Sequence, residues 1–312
     1  MKFLASCFLF LTLCTTGAQA WNAAGHHIVG AIAYYTLQKD NPTALSKAVA
    51  ILKHHPWYID QTKWPEKLKG VASENMDAVI FMLASTWPDD IKSGNTGFEM
   101  HKNWHYADNP YVKPGSTVTG KPLPSPNAFD AYKEMTQVVQ SNASDSAKAV
   151  ALSWMLHVIG DIHQPLHSVE MYSNEFPKGD LGGNILCVTA DSKSTNLHAF
   201  WDDLLGKGSL SFEDCIVQAK SLITSFPANK LPELAQNKTI EDWSTKESLA
   251  IAIQDVYQNG TLAYAVKSPE EKGCENGPAL PKEYIDHAHA IAERRVALAG
   301  LRLEEYIVSN LR

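Results

Sequence analysis

The chain has 312 residues, with 34 acidic and 27 basic side chains, a formal net charge of −7 and a hydrophobic fraction of 45%. This composition predicts a globular protein with a sizeable core, and it excludes the strongly basic surface of a protein that binds nucleic acid tightly through charge. Bound metal ions could still supply positive charge locally, so an enzyme that acts on an anionic substrate remains open.

The first 20 residues predict a secretory signal peptide, because Lys2 precedes an apolar run that ends in Ala18-Gln19-Ala20. Cleavage after Ala20 would make Trp21 the first residue. No other stretch is apolar for about 18 consecutive residues, which predicts a secreted or periplasmic protein without a membrane span. We therefore expect a signal peptide over residues 1–20 and a single domain over residues 21–312.

Helical periodicity of the apolar residues dominates the rest of the chain. Helices are predicted over residues 21–37, 42–55, 76–86, 127–140, 145–162, 198–205, 212–224, 245–257 and 281–310. Residues 93–126 are rich in Gly, Pro, Asn and Ser and predict irregular structure. Within the Gly-rich segment 170–196, only residues 185–189 are typical of a strand. This order predicts an all-α, bundle-like domain with irregular loops and little β-structure.

One predicted helix carries unusual polar residues on an apolar background. His157 and Asp161 lie one turn apart and share a face. Pro165 should end the helix and allow His167 to turn back towards the same side. His163 lies about 200° around the helix from Asp161, which favours a structural role for it.

The sequence HAFWDD repeats this spacing with His198 and Asp202. A lone buried histidine is more often a hydrogen-bonded core residue than a metal ligand. Two His-x-x-x-Asp pairs on apolar helices favour a metal instead, because imidazole and carboxylate are usual zinc ligands. His26, Asp89 and His105 are further candidates, each weak alone.

Three cysteines follow the predicted signal peptide: Cys187, Cys215 and Cys274. In an oxidising compartment they predict one disulfide and one free thiol, with the pairing left open. Their spacing lacks a Cys-x-x-Cys pattern and therefore argues against a thiolate zinc site. Asn142, Asn237 and Asn259 begin glycosylation sequons, which matter only in a host that glycosylates.

The motifs WNAAGH, WPDD, WHYAD, HVIGDIHQPLH, LGGN and NLHAFWDD occur in this order along most of the chain after residue 20. Together they resemble the zinc-dependent, single-strand-specific nuclease and 3′-nucleotidase family of the fungal nuclease P-one type, with a secreted, bacterial-like member expected. The resemblance implies hydrolysis of single-stranded DNA or RNA to 5′-phosphate products, in which a metal-activated hydroxide attacks the phosphate. It implies no stable protein partner.

The same resemblance implies three zinc ions and specific residue roles. One ion would be held by Asp89, His105, His157 and Asp161, and a close neighbour by Trp21 through its freed amino group and carbonyl, His26 and the bridging Asp161. The third would be held by His167, His198 and Asp202. Tyr106, Asp108, Leu181 and Asn184 would bind an unpaired base, with core packing as the alternative role for Tyr106.

Two features depart from the family pattern. Lys92 stands where the fungal enzymes carry an arginine that contacts the phosphate, and lysine lacks the bidentate fork of that side chain. Lys92 joins Asp89 and Asp161 as a candidate catalytic residue. The segment from Met171 to Asp180 is also longer than its fungal counterpart, which bears on the shape of the substrate cleft.

Two alternatives stay open at this point. A zinc-dependent phospholipase C resembles the family in fold and metals, but there the first histidine lies further from the N-terminal tryptophan and the last helical pair ends in glutamate, where this chain has Asp202. An exported zinc-binding structural protein would be favoured by closed, four-ligand sites.

Overall fold

The structure is a computed structural model that describes residues 21–94, 96–206 and 210–311. The helices are α1 (Ala23–Asp40), α2 (Pro42–Leu52), α3 (Pro56–Ile59), α4 (Trp64–Lys67), α5 (Met76–Asp90), α6 (Ala128–Gln140), α7 (Asp145–Ile162), α8 (Leu197–Asp202), α9 (Phe212–Ser225), α10 (Glu233–Gln236), α11 (Ile240–Asp242), α12 (Leu249–Ile251) and α13 (Lys282–Asn310). π-Helical turns Trp243–Ser248 and Ala252–Val256 flank α12. The predicted signal peptide lies outside the described residues.

The core is a bundle in which α1 packs against α5, α9 and α13, while α7 packs against α5 and α6. Helices α1, α5 and α7 are buried on nearly every side, which explains why they are apolar all round rather than on one stripe. Side-chain caps set their starts: Asn22 caps α1 and Ser144 caps α7. The mostly helical, single-domain architecture predicted from the sequence is confirmed.

Five short strands complete the described structure: β1 (Pro110–Val112), β2 (Glu170–Tyr172), β3 (Leu186–Ala190), β4 (Lys193–Asn196) and β5 (Ala265–Val266). β1 and β2 pair in parallel, and β3 lies between the antiparallel strands β4 and β5. Sequence periodicity indicated only β3, the longest strand, because the alternation of strands of two to four residues cannot be distinguished from a loop. The remaining segments of 93–126 and 170–196 are largely irregular, as expected.

Helix α5 extends further than predicted, because it continues through Pro88 to Asp90. Pro88 has no N–H to donate to the helical ladder and its ring crowds the preceding turn, and the helix ends two residues later. The continuation carries Asp89 into the interior, where it faces α7.

Cys187 on β3 forms a disulfide with Cys274, and Cys215 is a buried free thiol, so the expectation of one bridge and one thiol is confirmed. Burial raises the pKa of Cys215 to about 12, which keeps the thiol protonated and unreactive. None of the helices within the described ranges is long and apolar enough to cross a membrane.

Candidate metal centre

Three groups of histidine and aspartate side chains converge inside the bundle. In each group the potential ligand atoms lie within 4.8 Å of one another. The groups are His26, His157 and Asp161; Asp89, His105 and His157; and His167, His198 and Asp202. The structure thus brings together every side chain predicted from the sequence as a metal ligand, apart from Trp21, whose predicted ligands are backbone atoms.

Asp161 lies at the centre of the first two groups and is fully buried. Its Oδ1 atom is 3.2 Å from Nε2 of His26. Its Oδ2 atom is 3.0 Å from Nε2 of His157 and 3.1 Å from Nδ1 of His105. The two oxygens therefore face different histidines, which is the arrangement that a carboxylate bridging two ions needs.

Asp89 enters the second group from the end of α5. Its Oδ1 atom is 3.6 Å from Nε2 of His157 and 3.7 Å from Nδ1 of His105. Nζ of Lys92, three residues along the chain, is 2.7 Å from the same oxygen. Lys92 therefore lies beside the two central groups, paired with Asp89.

Backbone carbonyls fix the orientation of three histidine rings. Nδ1 of His157 donates to the Ser85 carbonyl at 2.8 Å, Nδ1 of His167 to the His105 carbonyl at 2.6 Å, and Nδ1 of His198 to the Gly182 carbonyl at 2.7 Å. Each bond places the ring proton on Nδ1 and leaves Nε2 as a lone pair that points into the cluster.

In the third group, Nε2 of His167 lies 3.0 Å from Nε2 of His198, which is 3.6 Å from Oδ2 of Asp202. Because both Nδ1 atoms carry protons, the two facing Nε2 atoms present lone pairs to each other. Such a contact is repulsive unless the two lone pairs share a metal ion or a proton. The donor set and its geometry therefore fit a metal ion.

Burial favours the neutral form of three of the imidazoles in these groups. It lowers the pKa of His105 to about 3, and it also lowers the pKa values of His26 and His167. For Asp161, burial acts in the opposite direction, but the interaction with His157 and the hydrogen bonds from the histidines hold its pKa well below the usual range. Asp161 and Asp89 in turn outweigh burial at His157 and raise its pKa, so a metal ion at its Nε2 atom would take the place of a proton. Neutral imidazoles and an ionised carboxylate are the forms that bind metals.

Trp21 is fully buried beside this centre. Its indole Nε1 donates to the carbonyl of Gly160 at 3.1 Å, which ties the start of the domain to the turn of α7 that carries Asp161. The next residue, Asn22, donates its backbone N–H to the carbonyl of Asp202 at 3.3 Å. The first residue of the predicted mature chain is thus anchored between two ligand-bearing helices.

The predicted base-binding residues lie on adjacent segments. Tyr106 is half-buried and its hydroxyl donates to Asn103, while burial raises the pKa of Asp108 to about 6. Leu181 is 51% exposed, and its carbonyl accepts a hydrogen bond from the amide of Asn184 at 2.8 Å. The exposed side chain of Leu181 and the half-buried ring of Tyr106 are both partly accessible to a ligand.

Glu170 connects these segments and was not predicted from the sequence as a site residue. Its backbone N–H donates to the Asn109 carbonyl, and its Oε1 atom accepts the N–H of Leu181 at 2.8 Å. Burial raises its pKa to about 8.

Leu181 and Gly182 have positive φ values, 55° and 58°, and a Cβ atom at Gly182 would lie 2.8 Å from the Leu166 carbonyl. The LGGN sequence was therefore a signal for this tight turn.

The remaining histidines lie outside the three groups. His163 is buried, and its Nε2 atom accepts from Arg302 at 2.7 Å, so its structural role agrees with the expectation. His287 and His289 are exposed, as expected. His55 stacks on Trp64. The others outside the groups are His27, His54 and His101.

Known proteins are similar to this chain over most of its length. The family model of the S1/P1 nucleases matches residues 21–311. The chain is 27% identical to Endonuclease 3 of Arabidopsis thaliana, over 95% of this chain and 90% of that protein. It is 27% identical to Nuclease S1 of Aspergillus oryzae, over 72% and 76% of the two chains, and 25% identical to Nuclease P1 of Penicillium citrinum, over 83% and 93%. The chain therefore belongs to the S1/P1 nuclease family.

Proposed function

We propose that the protein is an exported, zinc-dependent endonuclease with 3′-nucleotidase activity, which cleaves single-stranded DNA or RNA and leaves 5′-phosphate products. Membership of the family makes it a nuclease, a hydrolase that acts on phosphodiester bonds. The observation that supports the zinc-dependent activity is the presence of three buried His/Asp groups, with the carboxylate of Asp161 contacting histidines of two of them.

In this proposal three zinc ions bind. Asp89, His105, His157 and Asp161 would hold one, and His26, Asp161 and the freed N-terminus at Trp21 would hold the second. His167, His198 and Asp202 would hold the third. Support comes from the donor chemistry, since neutral imidazoles and carboxylates are the usual zinc ligands. Zinc in such a site supplies Lewis acidity, which activates water as a nucleophile and neutralises charge on the phosphate.

The chain's own residues would orient these reactants. Asp161 holds two groups of ligands at a fixed separation through its two oxygens. Lys92, whose Nζ lies 2.7 Å from Asp89, would place a positive charge beside the phosphate. As a point charge it can stabilise developing negative charge without the bidentate geometry of arginine.

Substrate selection would depend on the segments that carry Tyr106, Asp108, Leu181 and Asn184. A base would stack on Tyr106 and contact Leu181, while the carboxyl of Asp108 and the amide of Asn184 would bond to its edge. Such contacts require an unpaired base and therefore favour single strands. The negative charge of the chain favours turnover over tight binding.

Export is supported by the N-terminal sequence and by the disulfide between Cys187 and Cys274. We propose that residues 1–20 are removed and that residues 21–312 form the nuclease domain. The family match, which begins at residue 21, is consistent with that boundary. The phospholipase and structural alternatives are disfavoured by family membership and by the half-exposed base-binding segments.

The experiment that tests this proposal compares single-stranded DNA, duplex DNA, RNA and phosphatidylcholine as substrates. Cleavage of single strands is expected, and hydrolysis of the lipid without nuclease activity would overturn the proposal. Tyr106→Ala should raise KM by about 10- to 100-fold, because stacking of one base contributes roughly 1–3 kcal/mol. Tyr35→Ala, on α1 with its hydroxyl bonded to Asn75, is the matched control and should leave KM unchanged.

A further inference from the structure

Gln164 is a buried side chain with no role in the proposed chemistry. It lies between the end of α7 and the 3₁₀ turn Pro165–Ser168, and it is 0% exposed. Burial of an amide is costly unless its donors and acceptors find partners. The partners of Gln164 are therefore informative about its role.

All four hydrogen-bonding groups of Gln164 are engaged, and three of them bond to residues proposed as metal ligands. Its backbone N–H donates to the Asp161 carbonyl at 2.9 Å, and its carbonyl accepts the N–H of His167 at 3.0 Å. Its side-chain Nε2 donates to Oδ1 of Asp202 at 2.7 Å. One residue thus joins α7, the turn that carries His167, and the end of α8.

The side-chain oxygen makes the fourth contact. Oε1 accepts the N–H of Leu166 at 2.6 Å, which holds the turn before His167 closed. With Oε1 bonded to the turn, Nε2 is aimed at α8. The bond to Oδ1 of Asp202 leaves Oδ2 as the oxygen that faces Nε2 of His198.

We propose that Gln164 is a positioning residue for the third metal ion: it fixes the carboxylate of Asp202 and the turn of His167 in one ligand geometry. This inference rests on the proposed three-ion function and deepens it. Outer partners of metal ligands set orientation, and their loss typically weakens metal affinity about 10- to 100-fold. The two ions around Asp161 do not depend on the side chain of Gln164, whose only contact with Asp161 is through the backbone.

Two variants separate the two arms of the side chain. Gln164→Glu has nearly the same shape and keeps an acceptor for the N–H of Leu166, but it replaces the amide donor with an oxygen facing Asp202. Gln164→Met fills the space and removes both contacts. Ser153→Ala is the control, because it removes another fully buried polar group of α7, whose hydroxyl donates only to the carbonyl of Ala149.

The experiment titrates the metal-free chain that begins at Trp21 with zinc by calorimetry, and counts bound ions by mass spectrometry. His167→Ala identifies the binding event that belongs to the third ion. In both Gln164 variants that event should weaken about 10- to 100-fold, while the other two events keep their affinity. The melting temperature of the metal-free protein is measured in parallel, and Ser153→Ala should retain all three events.

Unchanged affinity for the third ion in both variants would overturn the inference. Equal weakening of all three events, together with a lowered melting temperature of the metal-free Gln164→Glu protein, would also overturn it by indicating a general structural role. If the wild type itself lacks the third event, the three-ion proposal fails, and the inference falls with it.

Discussion

At the scale of single residues, the centre depends on where each imidazole proton lies. Three rings donate Nδ1 to backbone carbonyls, so their Nε2 lone pairs point inward before any ion binds. The backbone therefore determines which tautomer each ring adopts. The conformational entropy of the three rings is lost when the chain folds, so metal binding does not have to order them. The carboxylate of Asp161 faces His26 with one oxygen and His105 and His157 with the other.

Asp161→Asn should abolish binding of two ions and lower kcat/KM by at least about 10³-fold. The amide removes the negative charge that both ligand groups share, and a metal ion supplies several kcal/mol of transition-state stabilisation. Metal content and kcat/KM of the purified variant check this result. Asp77→Asn, which alters an exposed pair with Lys53, is the control and should match the wild type. Retention of all ions by the Asp161 variant would contradict the shared-ligand assignment.

At the scale of elements, a buried network attaches the long helix α13 to the segment beside the centre. Glu247, in the first π-helical turn, accepts hydrogen bonds from Arg295 and Arg302, and all three are nearly inaccessible to solvent. Arg295 also donates to the carbonyl of His163, one residue before Gln164. The network therefore ties α13 to the end of α7, where the ligand-bearing turn begins.

This network makes the free energy of unfolding depend on pH. Burial alone would raise the pKa of Glu247, but the hydrogen bonds and charges of Arg302 and Arg295 outweigh it and lower the pKa to about 2. The folded-state pKa thus lies below the ordinary value of 4.5. The stabilisation, about 3 kcal/mol, is fully present above pH 4.5 and is lost as pH falls towards 2.

Glu247→Gln should destabilise the protein by about 3–5 kcal/mol at pH 7, because two buried guanidinium groups lose their counterion. At pH 2 about half of the wild-type carboxyl groups are themselves protonated, so the difference between the two proteins should shrink. Urea unfolding of the metal-free proteins at both pH values measures this effect without a contribution from bound ions. An equal difference at pH 7 and pH 2 would show that the charge of Glu247 is not responsible.

At the scale of the whole molecule, local sequence signals predict most of the long helices, and the side chains predicted as ligands lie in the three His/Asp groups. Helix α7 was predicted over the residues where it occurs, since its cap and its apolar run are both local signals. The side chains of Asp89 and His105 were weak candidates, because only the packing of α5 and of the 3₁₀ turn Lys102–His105 against α7 brings them within reach of His157. Glu170 and Gln164 remained unrecognised, since their roles depend on contacts between distant segments.

The proposed removal of residues 1–20 would affect zinc binding, because it would free the amino group of Trp21. Trp21 is buried, and Asn22 donates its side-chain amide to Asp203 at 2.8 Å, so the proposed mature chain would begin beside the His/Asp groups. An α-amino group binds metal only when it is free and unprotonated. A chain with two extra residues before Trp21 should therefore bind two zinc ions where the chain starting at Trp21 binds three.

Elemental analysis of the two purified proteins measures this difference, and the same two residues added at the C-terminus provide a control for chain length. Equal zinc content in all three proteins would exclude the N-terminal amino group as a ligand.

The central claim is that a zinc centre built around Asp161 cleaves single strands to 5′-phosphate products. The most direct test is end-group analysis of a short single-stranded oligonucleotide treated with the chain that begins at Trp21, with and without prior chelation. We predict fragments with 5′-phosphate and 3′-hydroxyl ends, loss of cleavage after chelation, and recovery on addition of zinc. Cleavage that persists in the metal-free protein, or fragments with 3′-phosphate ends, would contradict the account.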